Sequence, residues 1–183
     1  MADSDRSDLI KAGSGRERMV LGAALAAAGF VLLLDQMTKI VVEREFILHE
    51  SRPVWDGFFS LTFVRNYGAA WSMFSGYGWF LLAVALLVTV GALWFFRYLT
   101  DGFIERYFAI FVILGGVAGN SIDRIWRGAV VDFLDFHFRG YHWPVFNVAD
   151  IAICVGVGIF ILSSIVRKPR REASDSPEEA ESH

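Results

Sequence analysis

Asp35, Asp123, Asp132 and Asp150 lie at or just beyond the ends of long apolar segments, where a carboxylate is costly and by default marks a functional site. Two carboxyls held close together do not ionise together easily, so one keeps its proton and the pair titrates as a unit. Such a pair hydrolyses an amide without a metal or a covalent intermediate. The ionised member takes a proton from water as it attacks the carbonyl, and the protonated member polarises the carbonyl oxygen. The simpler reading is local ion pairing, Asp35 with Lys39 and Asp123 with Arg124. Spacing alone does not say which two aspartates would form a pair.

Other side chains offer less. The single Cys154 lies inside an apolar run, forms no intramolecular disulfide, and reads as packing. His49, His137, His142 and His183 lie in expected loops or the tail without metal-ligand spacing, and there is no HExxH zinc site. No serine sits in a GxSxG turn, and Ser72 and Ser121 read as packing or capping residues.

The elements that must position the aspartates are membrane helices. Hydrophobic residues make up 55% of the chain and aromatics 15%, with a mean hydropathy of +0.44, and the apolar residues come in blocks. The runs from Met19 to Val42, Tyr77 to Phe96, Tyr107 to Ile122 and Ile151 to Val166 each approach the roughly 20 residues that cross a bilayer. The expected fold is therefore an all-α integral membrane protein of four transmembrane helices. Arg6, Lys11, Arg16 and Arg18 precede the first span, Arg97 and Arg106 flank the second loop, and Arg167, Lys168, Arg170 and Arg171 follow the fourth. Basic residues favour the inside, so both termini are expected in the cytoplasm. Arg44, Arg52, Arg65, Arg124, Arg127 and Arg139 fall in outer loops but are interleaved with acids and aromatics. This topology gathers all four aspartates at the outer interface.

Residues 1–18 and 168–183 are polar and charged, and are expected as disordered cytoplasmic tails around a membrane domain over 19–167. Length and the polar residues that end it argue that the first span is a retained helix and not a cleaved signal peptide. In the first outer loop Phe59, Leu61 and Phe63 alternate with Ser60, Thr62 and Val64, which predicts a strand in a small extracytoplasmic sheet. The second outer loop, Trp126 to Phe146, carries Phe133, Phe136, Phe138, Tyr141 and Trp143. It reads either as an aromatic belt or as a loop or short helix forming a lid.

Five ordered blocks are Asp35-Gln36-Met37-Thr38-Lys39, Arg65-Asn66-Tyr67-Gly68-Ala69-Ala70-Trp71-Ser72, Gly115-Gly116-Val117-Ala118-Gly119-Asn120-Ser121-Ile122-Asp123-Arg124, Val130-Val131-Asp132-Phe133 and Phe146-Asn147-Val148-Ala149-Asp150. In content and order they resemble the lipoprotein signal peptidases, also called signal peptidase II. That resemblance implies an aspartic endopeptidase with Asp132 and Asp150 as its catalytic pair. It further implies Asn66, Asn120, Arg124 and Asn147 as polar residues lining the site, with Asp35, Lys39, Gly68 and Asp123 supporting them. The implied substrates are diacylglyceryl-modified prolipoproteins, cut on the amino side of the lipidated cysteine, and globomycin-type cyclic peptides are implied inhibitors. The implied setting is the bacterial inner membrane, with several spans, lipid contacts and a site facing outward. A monomer without metal, organic cofactor or nucleic-acid partner is expected. A metal-dependent phosphotransferase and a non-enzymatic adaptor or ion pathway are the rival classes. Insensitivity to chelator separates the first from the peptidase, and unchanged processing after either aspartate is altered would identify the second.

Overall fold

The computed structural model describes residues 2–68, 73 and 76–167, with side chains from residue 15 onward. The acidic tail expected over 168–183 and the Ala69 to Ser72 part of the second block lie outside the described residues. Among those described, the chain order is α1 (Ala2–Glu45), β1 (Ser51–Trp55), β2 (Phe59–Asn66), α2 (Gly78–Trp94), α3 (Phe96–Thr100), α4 (Ile104–Trp126), β3 (Val130–Phe138), β4 (Tyr141–His142) and α5 (Val148–Val166).

Three helical stretches are long and apolar enough to cross a bilayer: Gly15–Glu45 within α1, α4 and α5. The second expected span appears as the shorter apolar α2, of 17 residues, followed by α3. Apolar side chains such as Leu87, Trp94 and Ile165 point outward, 72%, 81% and 77% exposed. In water such a surface would be an aggregation hazard, whereas lipid solvates it. α1 carries the first expected span and extends back through the charged lead.

The helices approach most closely where small residues permit it. α4 packs against both α1 and α5. A methyl group added at Gly115 would sit 2.8 Å from Ala28 O of α1, and one at Gly116 would sit 2.5 Å from Ala149 O of α5. Close helix contact through glycine is the usual solution where lipid offers no hydrophobic drive for association. Buried Ala24, Tyr107 and Phe111 fill the α1–α4 interface further along the helices. α2 contributes no buried residue, and a cavity remains between it and the α4–α5 pair.

The sheet is antiparallel, in the order β1-β2-β3-β4. Buried Val42 at the end of α1, Phe63 of β2 and Val131 and Phe133 of β3 form a cluster that seats it on the helices. The expected strand at Phe59 is β2. The second outer loop, expected as a belt, loop or short helix, is instead largely β3 and β4. Its Val, Phe and Leu residues suit a strand, and the interposed aspartates and histidines disguise the alternation. Asp132 accordingly stands on a strand and not in a loop. Pairing of Val64 with Asp132 and of Asn66 with Val130 sets its position against β2.

Candidate active site

The end of α1 supplies a buried ion cluster. Asp35 and Lys39 lie one turn apart on the same helix face. Lys39 Nζ reaches Asp35 Oδ2 at 2.9 Å, Asp123 Oδ2 at 2.8 Å and Asn120 Oδ1 at 3.0 Å. All three side chains of the ion triad are fully buried, so each charge depends on complete pairing. Backbone groups complete the set: Ala149 N donates to Asp35 Oδ1 at 3.0 Å, and Val131 N to Asp123 Oδ2 at 3.1 Å. The cluster thereby ties α1 and α4 to the start of α5 and to β3.

Asp123 pairs differently from the expected contact with Arg124. Residues adjacent on a helix point apart, whereas those four apart meet. Arg127 Nη1 accordingly bonds Asp123 Oδ1 at 2.7 Å. Arg124 turns away to donate to Gly68 O at 3.0 Å and Asn120 O at 3.2 Å, holding the chain after β2 against α4. Its Nε is buried without a partner among the described residues.

Asn147 is the N-cap of α5. Its Oδ1 accepts from Asp150 N at 3.0 Å, while Asp150 Oδ2 accepts from Asn147 N at 3.2 Å, a reciprocal capping box. The cap fixes the Asp150 carboxylate at a helix N-terminus, where its charge is favoured. Asn120 Nδ2 donates to Asp150 Oδ1 at 2.8 Å. Asn147 Nδ2 donates to Asp132 Oδ1 at 2.7 Å and to Asn120 Oδ1 at 3.1 Å, and Asn66 Nδ2 donates to Asp132 Oδ2 at 3.0 Å. Asn66 in turn accepts from Gly68 N at 2.9 Å. Asp132 and Asp150 are thus linked through two asparagines, and both line the cavity. Burial pushes the Asp132 carboxyl up to about 7, the Asp150 charge adds to the rise, and the bonds from Asn66 and Asn147 oppose it.

The cavity measures about 740 Å³. Asn66, Gly68, Asn120, Arg124, Asp132 and Asp150 line its polar end, and Leu81, Val84, Ala85 and Val88 of α2 form an apolar wall. Cys154, expected as a packing residue, is exposed and lines the same cavity. Ser121 also lines it, its hydroxyl bonded back to Val117 O at 2.7 Å.

The ten residues implied by the resemblance therefore form one connected set, with Asp35, Lys39, Asp123 and Asn147 fully buried behind the lining and the other six lining the cavity. The profile of the Signal peptidase (SPase) II family matches residues 27–166, which contain every one of them. The chain belongs to the signal peptidase II family. A lipoprotein signal peptidase of Geobacter metallireducens is 43% identical over 148 residues, covering 79% of this chain and 91% of the relative. One from Ralstonia nicotianae is 42% identical over 165 residues, covering 88% and 92%. A solved bacterial membrane enzyme superposes with a TM-score of 0.74 at 33% identity, over 79% of this chain and 88% of that one. Signal peptidases II are proteases, so the chain is a membrane hydrolase.

Sequence reasoning passed over three residues of this signal peptidase that complete the buried network. Gln36 Nε2 contacts Asp35 Oδ2 at 3.1 Å, Asp123 Oδ1 at 3.1 Å and Gly119 O at 3.2 Å. Arg127 also contacts Gln36 Oε1 at 3.0 Å and Glu43 Oε2 at 2.7 Å. Arg127 and Glu43 could have been found from helix spacing, four residues beyond Asp123 and Lys39 respectively, on the faces that carry the cluster.

Proposed function

We propose that this chain is an aspartic endopeptidase that removes the signal peptide from diacylglyceryl-modified prolipoproteins, with Asp132 and Asp150 as the catalytic dyad. The carrying observation is the pairing of two asparagine-linked carboxylates, Asp132 buried and Asp150 half-buried, with a cavity whose opposite wall is apolar helix α2. Such a cavity suits a substrate that is part peptide and part lipid. In this reading Asn66, Asn120 and Asn147 orient the carboxylate oxygens. Arg124 and Gly68 shape the peptide-binding edge, and the Asp35–Lys39–Asp123 cluster holds the scaffold rigid.

One proton is shared by the dyad at neutral pH. The ionised carboxylate removes a proton from water as the water oxygen attacks the scissile carbonyl carbon, and the protonated carboxyl gives its proton to the carbonyl oxygen. When the tetrahedral adduct collapses, the C–N bond breaks and a proton passes to the leaving nitrogen of the lipidated cysteine. The dyad returns to its singly protonated state. No metal enters these steps.

α2 with α3 acts as the second of four spans, between those formed by α1, α4 and α5. Basic residues at the outer ends of the chain favour cytoplasmic termini, which sets the sheet and the dyad at the extracytoplasmic face of the bacterial inner membrane. The substrate enters sideways from lipid between α2 and the α4–α5 pair, and a globomycin-type cyclic peptide would compete for the same space. Purified protein in detergent should cleave a lipidated prolipoprotein, should leave its unlipidated precursor intact, and should do so in the presence of chelator. Equal cleavage of both precursors would refute the substrate assignment.

A further inference from the structure

We propose that Asp135, His137 and His142 form a binding site for a divalent transition-metal ion of the zinc class on the β3–β4 hairpin. One ligand atom from each of these three side chains lies within 4.8 Å of the other two. The hairpin itself creates the juxtaposition. Arg139 and Gly140 both have positive φ, 50° and 83°, the conformation that two-residue hairpins favour. Phe138 is therefore set opposite Tyr141, and His137 opposite His142. Trp143 N donates to Phe136 O at 2.8 Å, which leaves the histidines as the intervening pair without ladder bonds, where side chains approach most closely. Their rings stack at 5.0 Å between centroids, inclined by 21°.

Asp135 precedes His137 by two residues and so shares its face. Its Oδ1 stands 3.2 Å from His142 Nδ1, while Oδ2 accepts from Thr62 Oγ1 at 2.9 Å. The Thr62 contact is the kind of outer-shell bond that orients a ligating carboxylate. A plain aspartate–histidine pair accounts for Asp135 and His142 alone. It leaves His137 Nδ1 buried with no hydrogen-bond partner among the described residues, and a cation held jointly by the three side chains explains why both rings converge. Two imidazoles and a carboxylate are a ligand set suited to zinc. Bonds of about 2.0–2.1 Å need only a small closure of the side chains, and the 62% exposed His142 side chain gives the ion its entry path. A bound ion would pin β4, whose chain runs on into the cavity wall at Trp143, Pro144, Val145 and Phe146.

Calorimetric titration of tag-free protein in detergent with zinc chloride, with cobalt absorption as a second probe, tests the site. The expected result is one ion per chain. His142→Ala and Asp135→Asn should each weaken binding by tenfold or more, Thr62→Val by about tenfold, and His49→Ala not at all. Zinc should raise the unfolding temperature of the wild type but not of His142→Ala. No binding, or equal binding by His142→Ala, would overturn the proposal. His142→Ala should still cleave lipidated substrate at the wild-type rate in metal-free buffer, so this test and that of the peptidase reading succeed or fail separately.

Discussion

Replacing Lys39 with Met keeps most of the side-chain volume and removes the only cation among the described residues that Asp35 contacts. The ammonium uses all three of its donors, on Asp35, Asp123 and Asn120. After the change Asp123 retains Arg127, whereas among the described residues Asp35 keeps only Gln36 and the Ala149 amide. Breaking a buried pair by removing one partner costs about 3–5 kcal/mol. At about 2–4 °C per kcal/mol for a chain of this size, unfolding should shift down by roughly 6–20 °C. Charge counting supplies the control. Asp35, Lys39, Asp123 and Arg127 sum to zero, Lys39→Met leaves the group at minus one, and adding Asp35→Asn restores neutrality. The double variant should therefore be more stable than Lys39→Met alone, with a coupling of at least about 1 kcal/mol. Tryptophan fluorescence during thermal unfolding in detergent measures all four proteins. A shift below about 2 °C for Lys39→Met, or strictly additive losses in the double variant, would refute the cluster as a coupled buried unit.

The Asp132 carboxyl at about 7 carries two pH predictions. Cleavage should decline as pH rises through 7, because the dyad loses its shared proton, and a pH–rate profile on lipidated substrate checks this. Stability has a definite sign as well: between pH 4 and 7 the folded chain holds a proton at Asp132 that the unfolded chain has released, so stability falls across that window. Melting curves of Asp132→Asn should show a flatter dependence there than the wild type. Among the glycines, Gly116→Ala should cost about 1–3 kcal/mol through its clash with Ala149 O. Gly22→Ala, with nothing within 4 Å, should be neutral or slightly stabilising by the same melting assay.

The layer of aspartates was legible from their places at the ends of apolar segments, and its division into a dyad and supporting residues came from the resemblance; two of the contacts also have helical or capping spacing. Asp35 and Lys39 are four apart, and Asn147 with Asp150 has the Asn-x-x-Asp spacing of a reciprocal cap. The simpler pairing of Asp123 with Arg124 rested on nearness in sequence; the helix turns Arg127 toward Asp123 instead, and Arg124 holds backbone carbonyls. β3 was hidden because Asp132, Asp135 and His137 break the apolar alternation, and their partners on β2 and β4 come from distant or turned chain. The same hairpin geometry joins His137 to His142, whose five-residue separation suggests nothing until a two-residue turn folds it. The long apolar helices were plain from composition. Their close approach rests on which glycines face a neighbour, information that one sequence does not carry.

Cleavage of a purified lipidated prolipoprotein by Asp132→Asn and by Asp150→Asn, each compared with wild type, tests the central claim most directly. The predicted result is a loss of at least about a thousandfold for each variant, with both still inserted in the membrane and thermally folded. Cleavage by either variant within tenfold of wild type would contradict the dyad and move the chemistry elsewhere in the cavity.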